Sequence, residues 1–147
     1  MQTYDQKQET NVNWHDVTIH FEEGLIGFSD YKDFVLMTDE SLAPFQLLKS
    51  VDSPHVAFLV LEATNFIKNY CDRVLPEEWR SAGITDEASR MALIIVVIGP
   101  TLESSTGNLQ APLLINRNQM MGKQIVLAAS GFSVRQPLLQ VFNACPV

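Results

Sequence analysis

Residues 108–135 read NLQAPLLINRNQMMGKQIVLAASGFSVR, and the way they fold decides the architecture of the chain. Two apolar runs, 112–115 and 124–128, flank residues 116–123, which are polar apart from Met120 and Met121 and contain Gly122. Leu, Ile and Val dominate both runs, and their length suits strands better than helices. The connection is too short for a crossover helix, so an antiparallel pair is expected. Pro112 has no N–H to give to a ladder, which places it at the start or edge of a strand. Nothing in the stretch suggests a catalyst.

Working outward, short strands recur on the N-terminal side. Residues 12–21 read as a strand whose second half puts Val17, Ile19 and Phe21 on one face, expected to point inward. Residues 22–30, EEGLIGFSD, place two glycines three apart among Leu, Ile and Phe, which predicts a tight turn with its apolar residues packed back. Residues 34–37 read as a second strand, and 44–51 fit either a strand or a helical turn. Asp52-Ser53-Pro54 is a turn signal. Residues 56–61, VAFLVL, read as a buried strand.

Residues 76–82, PEEWRSA, carry Pro at a helix start and two glutamates in the first turn, with Gly83 as the stop. Thr85-Asp86-Glu87 could cap a further turn. Residues 91–98 are dense in Ile and Val, so a central strand is expected, ended by Gly99-Pro100. A helix over 86–97 is the competing reading, and β-branching disfavours it. Residues 102–107 read as a polar turn region and 137–142 as the last element. The sum is a mainly β chain: a small antiparallel β-barrel-like single domain, residues 12–142, with one short helix. Residues 1–11 form a loose N-terminal segment and 143–147 a tail in this reading.

The 147 residues carry a net charge of −7, which argues against a nucleic-acid surface. The charge is uneven. Residues 1–62 hold eleven acids and three lysines, net −8, whereas residues 63–147 hold six acids and seven bases, net +1. Such a half either solubilises the surface or attracts a basic partner. Two cysteines, Cys71 and Cys145, make no disulfide framework. No basic-then-apolar segment opens the chain, and the longest apolar run is far below the roughly 20 residues of a membrane span. A soluble cytoplasmic protein without membrane contact is expected.

Candidates for chemistry are few. His15 and His20 face opposite sides of a strand, and Asp16 and His20 lie about 13 Å apart on one side, too far to share a metal ion. Cys71 has Lys68 and Arg73 nearby, but Asp72 opposes activation and no Cys–His arrangement is visible. Ser130-Gly131-Phe132-Ser133 has the wrong glycine spacing for a nucleophile elbow. Gly24-Leu25-Ile26-Gly27 lacks the third glycine and the βαβ context of a phosphate loop. Glu22-Glu23 and Glu77-Glu78 are adjacent pairs that fan apart, so neither forms a catalytic carboxylate pair. The paired methionines, Met120-Met121, pack at a hairpin end or offer an adaptable contact surface. No enzyme activity, metal or cofactor is expected.

Taken together, the motifs resemble the FliW family of bacterial flagellar assembly factors. The matching residues are Phe21-Glu22-Glu23-Gly24-Leu25 with Gly27-Phe28, Pro44-Phe45 with Leu48, Ser50-Val51-Asp52-Ser53-Pro54, and Ala57-Phe58-Leu59-Val60. Asn108-Leu109, Ala111-Pro112-Leu113-Leu114-Ile115-Asn116, Gln124-Ile125-Val126-Leu127, Ser130 and Arg135-Gln136-Pro137-Leu138 follow. The resemblance covers about residues 12–139. It implies a β-barrel-like cytoplasmic protein that binds flagellin and antagonises the RNA-binding translational regulator CsrA by protein–protein contact, with no direct nucleic-acid binding. The acids Glu22, Glu23, Asp52 and Glu62 are the expected CsrA-facing charges. Gly24, Gly27, Phe28, Asn108, Pro112 and Asn116 are expected to be architectural first.

Departures from the family pattern lie mostly in loops. Glu23 and Ile26 stand where prolines are usual, Glu62-Ala63-Thr64-Asn65 replaces an Asp-Pro turn, and Gln110 stands where Leu is commoner. A divergent member that kept one partner is therefore an alternative. A small barrel that carries an apolar ligand is another.

Overall fold

A strand that is apolar on both faces needs cover on both, and Arg90–Val97 is that strand. The computed structural model describes residues 15–138 apart from 102 and 129. The expectations for residues 1–11, 12–14, 139–147 and Cys145 lie outside them. Among the described residues nine strands form: β1 (His15–Phe21), β2 (Asp33–Thr38), β3 (Phe45–Ser50), β4 (Ala57–Glu62), β5 (Arg90–Val97), β6 (Thr106–Gly107), β7 (Leu113–Asn116), β8 (Met121–Gln124) and β9 (Gln136–Pro137). The order β4-β3-β2-β1-β8-β7-β5 is closed by a β4–β5 pairing into a seven-stranded barrel, with β6 and β9 extending from β5.

Along β5 the side chains alternate between two cores. Met91 and Leu93 point into the barrel with Ile19, Phe21, Phe34, Leu36, Leu48, Val60, Leu113 and Ile115. Ala92, Ile94 and Val96 point outward, into a second core with Phe66, Tyr70, Trp79, Leu109, Leu127 and Phe132. The chain between β4 and β5 supplies the cover: helices α1 (Tyr70–Arg73) and α2 (Pro76–Ser81) lay Tyr70 and Trp79 on the outer face. The single expected helix is therefore α2, and α1 is an addition. It carries no side-chain cap, and its buried Tyr70 donates its hydroxyl to the Leu109 carbonyl at 2.6 Å. Four residues held by packing leave little helical pattern in a sequence. Asp86 does cap a short 3-10 turn, accepting from the Ala88 N–H at 3.2 Å.

The hairpin expected over 112–128 is present but shifted. β7 pairs antiparallel with β8 in the register Leu113↔Gln124 to Asn116↔Met121, so its second strand is Met121–Gln124, inside the expected linker. Residues 125–128 run on without a named strand, though the Ile125 and Leu127 N–H groups still bond to the Pro112 and Gln110 carbonyls at 3.1 and 2.7 Å. Their apolar character serves the outer core, where Ile125 and Leu127 are buried. Pro112 sits where its missing N–H suggested, just before β7.

One pairing departs from the antiparallel expectation. β1 and β8 are parallel, with His20↔Met121 and Phe21↔Gly122. A ring with an odd number of strands cannot alternate in direction all the way round, so one parallel contact is unavoidable. Gly122 makes it fit: a Cβ there would lie 2.8 Å from the Phe21 ring and 3.0 Å from the Leu114 carbonyl oxygen. Val17 shares the inward parity of Ile19 and Phe21, yet it is 42% exposed while those two are fully buried. β8 meets β1 only at residues 20 and 21, so the wall beside Val17 is open among the described residues.

Replacing Gly122 by Ala is expected to destabilise the fold by about 1–3 kcal/mol through overpacking at this seam. Gly27→Ala, where φ is +85° but nothing lies within 4 Å, should cost about 1 kcal/mol, the left-handed backbone alone. Urea unfolding of the two variants checks the difference; equal losses would contradict the steric account of the seam.

Candidate protein-binding site

The turn after β1 shapes one end of the barrel. Gly24 donates its N–H to the Phe21 carbonyl at 2.9 Å, and Phe28 to that of Leu25 at 2.7 Å. Gly24 adopts φ +67°, and a Cβ on it would stand 2.6 Å from the Ser29 Cα, so glycine is required twice over. Lys32 closes the loop by donating its ammonium to the Glu22 carbonyl at 2.9 Å. The Ile26 N–H bonds to the Gln124 side chain at 2.8 Å, and Gln124 in turn donates to the Ala111 carbonyl at 3.0 Å, so the end of β8 holds the turn in place.

His20 is fixed between two acids. Its Nδ1 lies 2.7 Å from Asp33 Oδ1, and its Nε2 lies 2.9 Å from Glu22 Oε1. Both carboxylates accept from the ring at once only when the imidazole is protonated. The Asp33 hydrogen bond, then that of Glu22, raises its pKa above the usual 6.5. The Val51 N–H bonds to the Asp33 carbonyl at 2.9 Å, which carries the β3–β4 turn, and Asp52 within it, to the same end.

Three of the four acids singled out from sequence therefore share one end of the barrel. Glu22 and Glu23 follow β1, and Asp52 follows β3 beside Asp33. Glu23 has a partner in Lys123 at 3.5 Å. Glu62 is elsewhere. It ends β4, at the open end of the β3–β4 hairpin and about 17 Å of strand from the Asp52 turn, and it holds Arg117 at 3.2 Å. Its replacement of an Asp-Pro turn thus ties β4 to the β7–β8 turn. Sequence reasoning missed His20 and Asp33 as members of the acidic end. Their registered pairing across β1 and β2 follows from no local signal.

Apolar groups stand among these acids. Phe28, 37% exposed, packs edge-on against Phe58 with ring centroids 5.2 Å apart, and Phe58 packs in turn on Phe34. Ile26 and Val51 are 59% and 52% exposed. An acidic rim around partly exposed apolar side chains suits contact with a protein surface. Among the described residues no three His, Cys, Asp or Glu converge on a metal position. Burial, then Glu62 and Asp72, pushes the Cys71 thiol up, away from the reactive thiolate. Among the described residues, eleven buried apolar side chains pack together in the barrel interior. Among the described residues no helix is long and apolar enough to cross a membrane.

Comparison with known proteins is consistent along the chain. The family described as FliW protein matches residues 3–138. The flagellar assembly factor FliW of Natranaerobius thermophilus is 36% identical over 133 residues, covering 88% of this chain and 86% of its own. That of Geotalea uraniireducens is 33% identical over 122 residues, covering 83% and 74%, and that of Bacillus licheniformis 34% over 130 residues, covering 88% and 90%. A crystal structure of the flagellar assembly factor FliW superposes with a TM-score of 0.72 at 29% identity, over 82% of this chain and 84% of that one.

The His20 contact has a pH signature. Because the folded-state value is raised, its stabilisation is complete below the unfolded value of 6.5 and is lost as pH climbs through the raised value. An NMR titration should place the His20 midpoint above that of a histidine in an unstructured peptide. His20→Gln should remove this contribution to the pH dependence of the unfolding midpoint; a His20 midpoint at or below 6.5 would contradict the arrangement.

Proposed function

The chain belongs to the FliW family, and from that premise we propose that it is a cytoplasmic flagellar assembly factor that binds flagellin and antagonises the translational regulator CsrA. The action is competition between protein partners, with no covalent step. When flagellin is scarce in the cytoplasm, the protein is free to hold CsrA and flagellin synthesis proceeds. When flagellin accumulates, it takes up the protein and CsrA is released to repress. Flagellin synthesis is thereby coupled to flagellum assembly.

The observation that supports this reading best is the grouping of Glu22, Glu23 and Asp52 at one end of the barrel around Phe28, Ile26 and Val51. An RNA-binding regulator presents basic surface, and complementary charge speeds encounter and disfavours wrong partners. The apolar side chains supply the area that charge alone does not, since surface ion pairs contribute little each. Glu62 lies at the far end of β4, beside Arg117, and is left out of this group for its position. The packed barrel interior favours this reading over ligand carriage.

Isothermal calorimetry with CsrA and with flagellin from the same cell tests it. Binding to at least one is expected, and CsrA binding should weaken as salt rises. Combining Glu22→Gln, Glu23→Gln and Asp52→Asn should weaken CsrA binding by about tenfold and flatten the salt dependence, whereas Glu62→Gln should leave both unchanged. No heat and no co-elution with either protein would sink the proposal.

A further inference from the structure

The parallel seam leaves something behind. β1 pairs with β2 from His15↔Thr38 to His20↔Asp33, but with β8 only at residues 20 and 21. Its other edge, along residues 16–19, has no strand beside it among the described residues. Hydrogen-bond directions show which groups face that edge. The Phe21 N–H bonds to the Lys32 carbonyl toward β2, while the His20 N–H points the other way, to the Met120 carbonyl at 3.0 Å. By the alternation of an antiparallel ladder, the N–H and C=O groups of Asp16 and Thr18 point the same way as those of His20. Among the described residues no strand pairs with them. Asp16, Val17 and Thr18 are all exposed, and Val17 is uncovered while Ile19 and Phe21 of the same row are buried.

The geometry points to this edge as a strand-addition site for an extended, basic segment of a partner protein. It rests on the reading above and names a mode of binding for it. An added strand pairs with the main-chain groups of Asp16 and Thr18, and its alternate side chains cover Val17 on one face. On the other face it meets Asp16, and beyond it the Glu22 and Asp33 carboxylates around His20. The window is residues 16–19, or roughly 13 Å of strand. Charge selects the occupant. A second copy would bring two halves of net −8 together, whereas a segment bearing Lys or Arg at alternate positions is attracted. Met121, exposed at the inner end of the window, adds an adaptable apolar contact.

The test combines a measurement on the free chain with binding by two variants. In the full-length protein, the Asp16 and Thr18 amides should exchange with deuterium fast while those of Val17 and Ile19 are protected. Protection of Asp16 and Thr18 in the free chain would show the edge already covered, by the chain's own N-terminal segment or by another copy, and would overturn the inference. Thr18→Pro removes an outward N–H and no bond to β2, so the thermal midpoint should stay close to that of the parent. Val17→Lys aims a charge at the added strand without touching the backbone. Each should weaken binding to CsrA or to flagellin, whichever the parent binds, by about tenfold or more. Unchanged affinity in both variants would overturn strand addition and leave the proposed function standing. If the parent protein binds neither partner, the proposed function fails, and this inference with it.

Discussion

Seven strands cannot alternate in direction around a closed ring, and the rest of the molecule follows from where that mismatch is placed. It sits between β1 and β8, at Phe21 and Gly122, where the missing Cβ lets a buried aromatic ring approach the neighbouring backbone. A parallel contact cannot be made by a hairpin, so it joins residues about a hundred positions apart in sequence. It is also short. That shortness leaves the first half of β1 unpaired on one side, and it brings the end of β1, with Glu22 and Glu23, beside Lys123 and Gln124 of β8.

Much of the fold is legible in the sequence for a simple reason: burial writes itself as pattern. β5 reads as an unbroken apolar run because both of its faces are covered, one by the barrel and one by α1, α2 and the segment after β8. α2 is announced by Pro76 and by the glutamates of its first turn. The second strand of the closing hairpin is where pattern misleads. Met121-Gly122-Lys123-Gln124 shows no apolar run because none of the four is buried and one is a glycine required by the seam, whereas the apolar residues just after it serve a different core. Apolarity marks what is buried; it does not mark what is hydrogen-bonded in a ladder. Val17 illustrates the same limit. Its parity is right, but parity says nothing about whether the next strand is there to cover it.

The acidic end was visible as an imbalance of charge between the two halves of the chain, not as a site. Its assembly needs two long-range facts: the β1–β2 register that sets His20 against Asp33, and the Val51 hydrogen bond that brings the β3–β4 turn to β2. The same facts separate Glu62 from the other acids. Sequence counts charges without knowing which are already answered: Arg117 answers Glu62 and Lys123 answers Glu23. What remains is a surface with fixed carboxylates and exposed apolar groups at one end of the barrel.

The central claim is that a basic partner meets this end of the barrel and the adjoining edge of β1. Zero-length carbodiimide cross-linking in the complex with CsrA, read by mass spectrometry, tests it most directly, because it joins carboxylates only to lysines in contact. Links from Asp16, Glu22, Glu23 and Asp52 are the predicted result. Links confined to Glu62, Glu77, Glu78 and Glu87 would contradict the account.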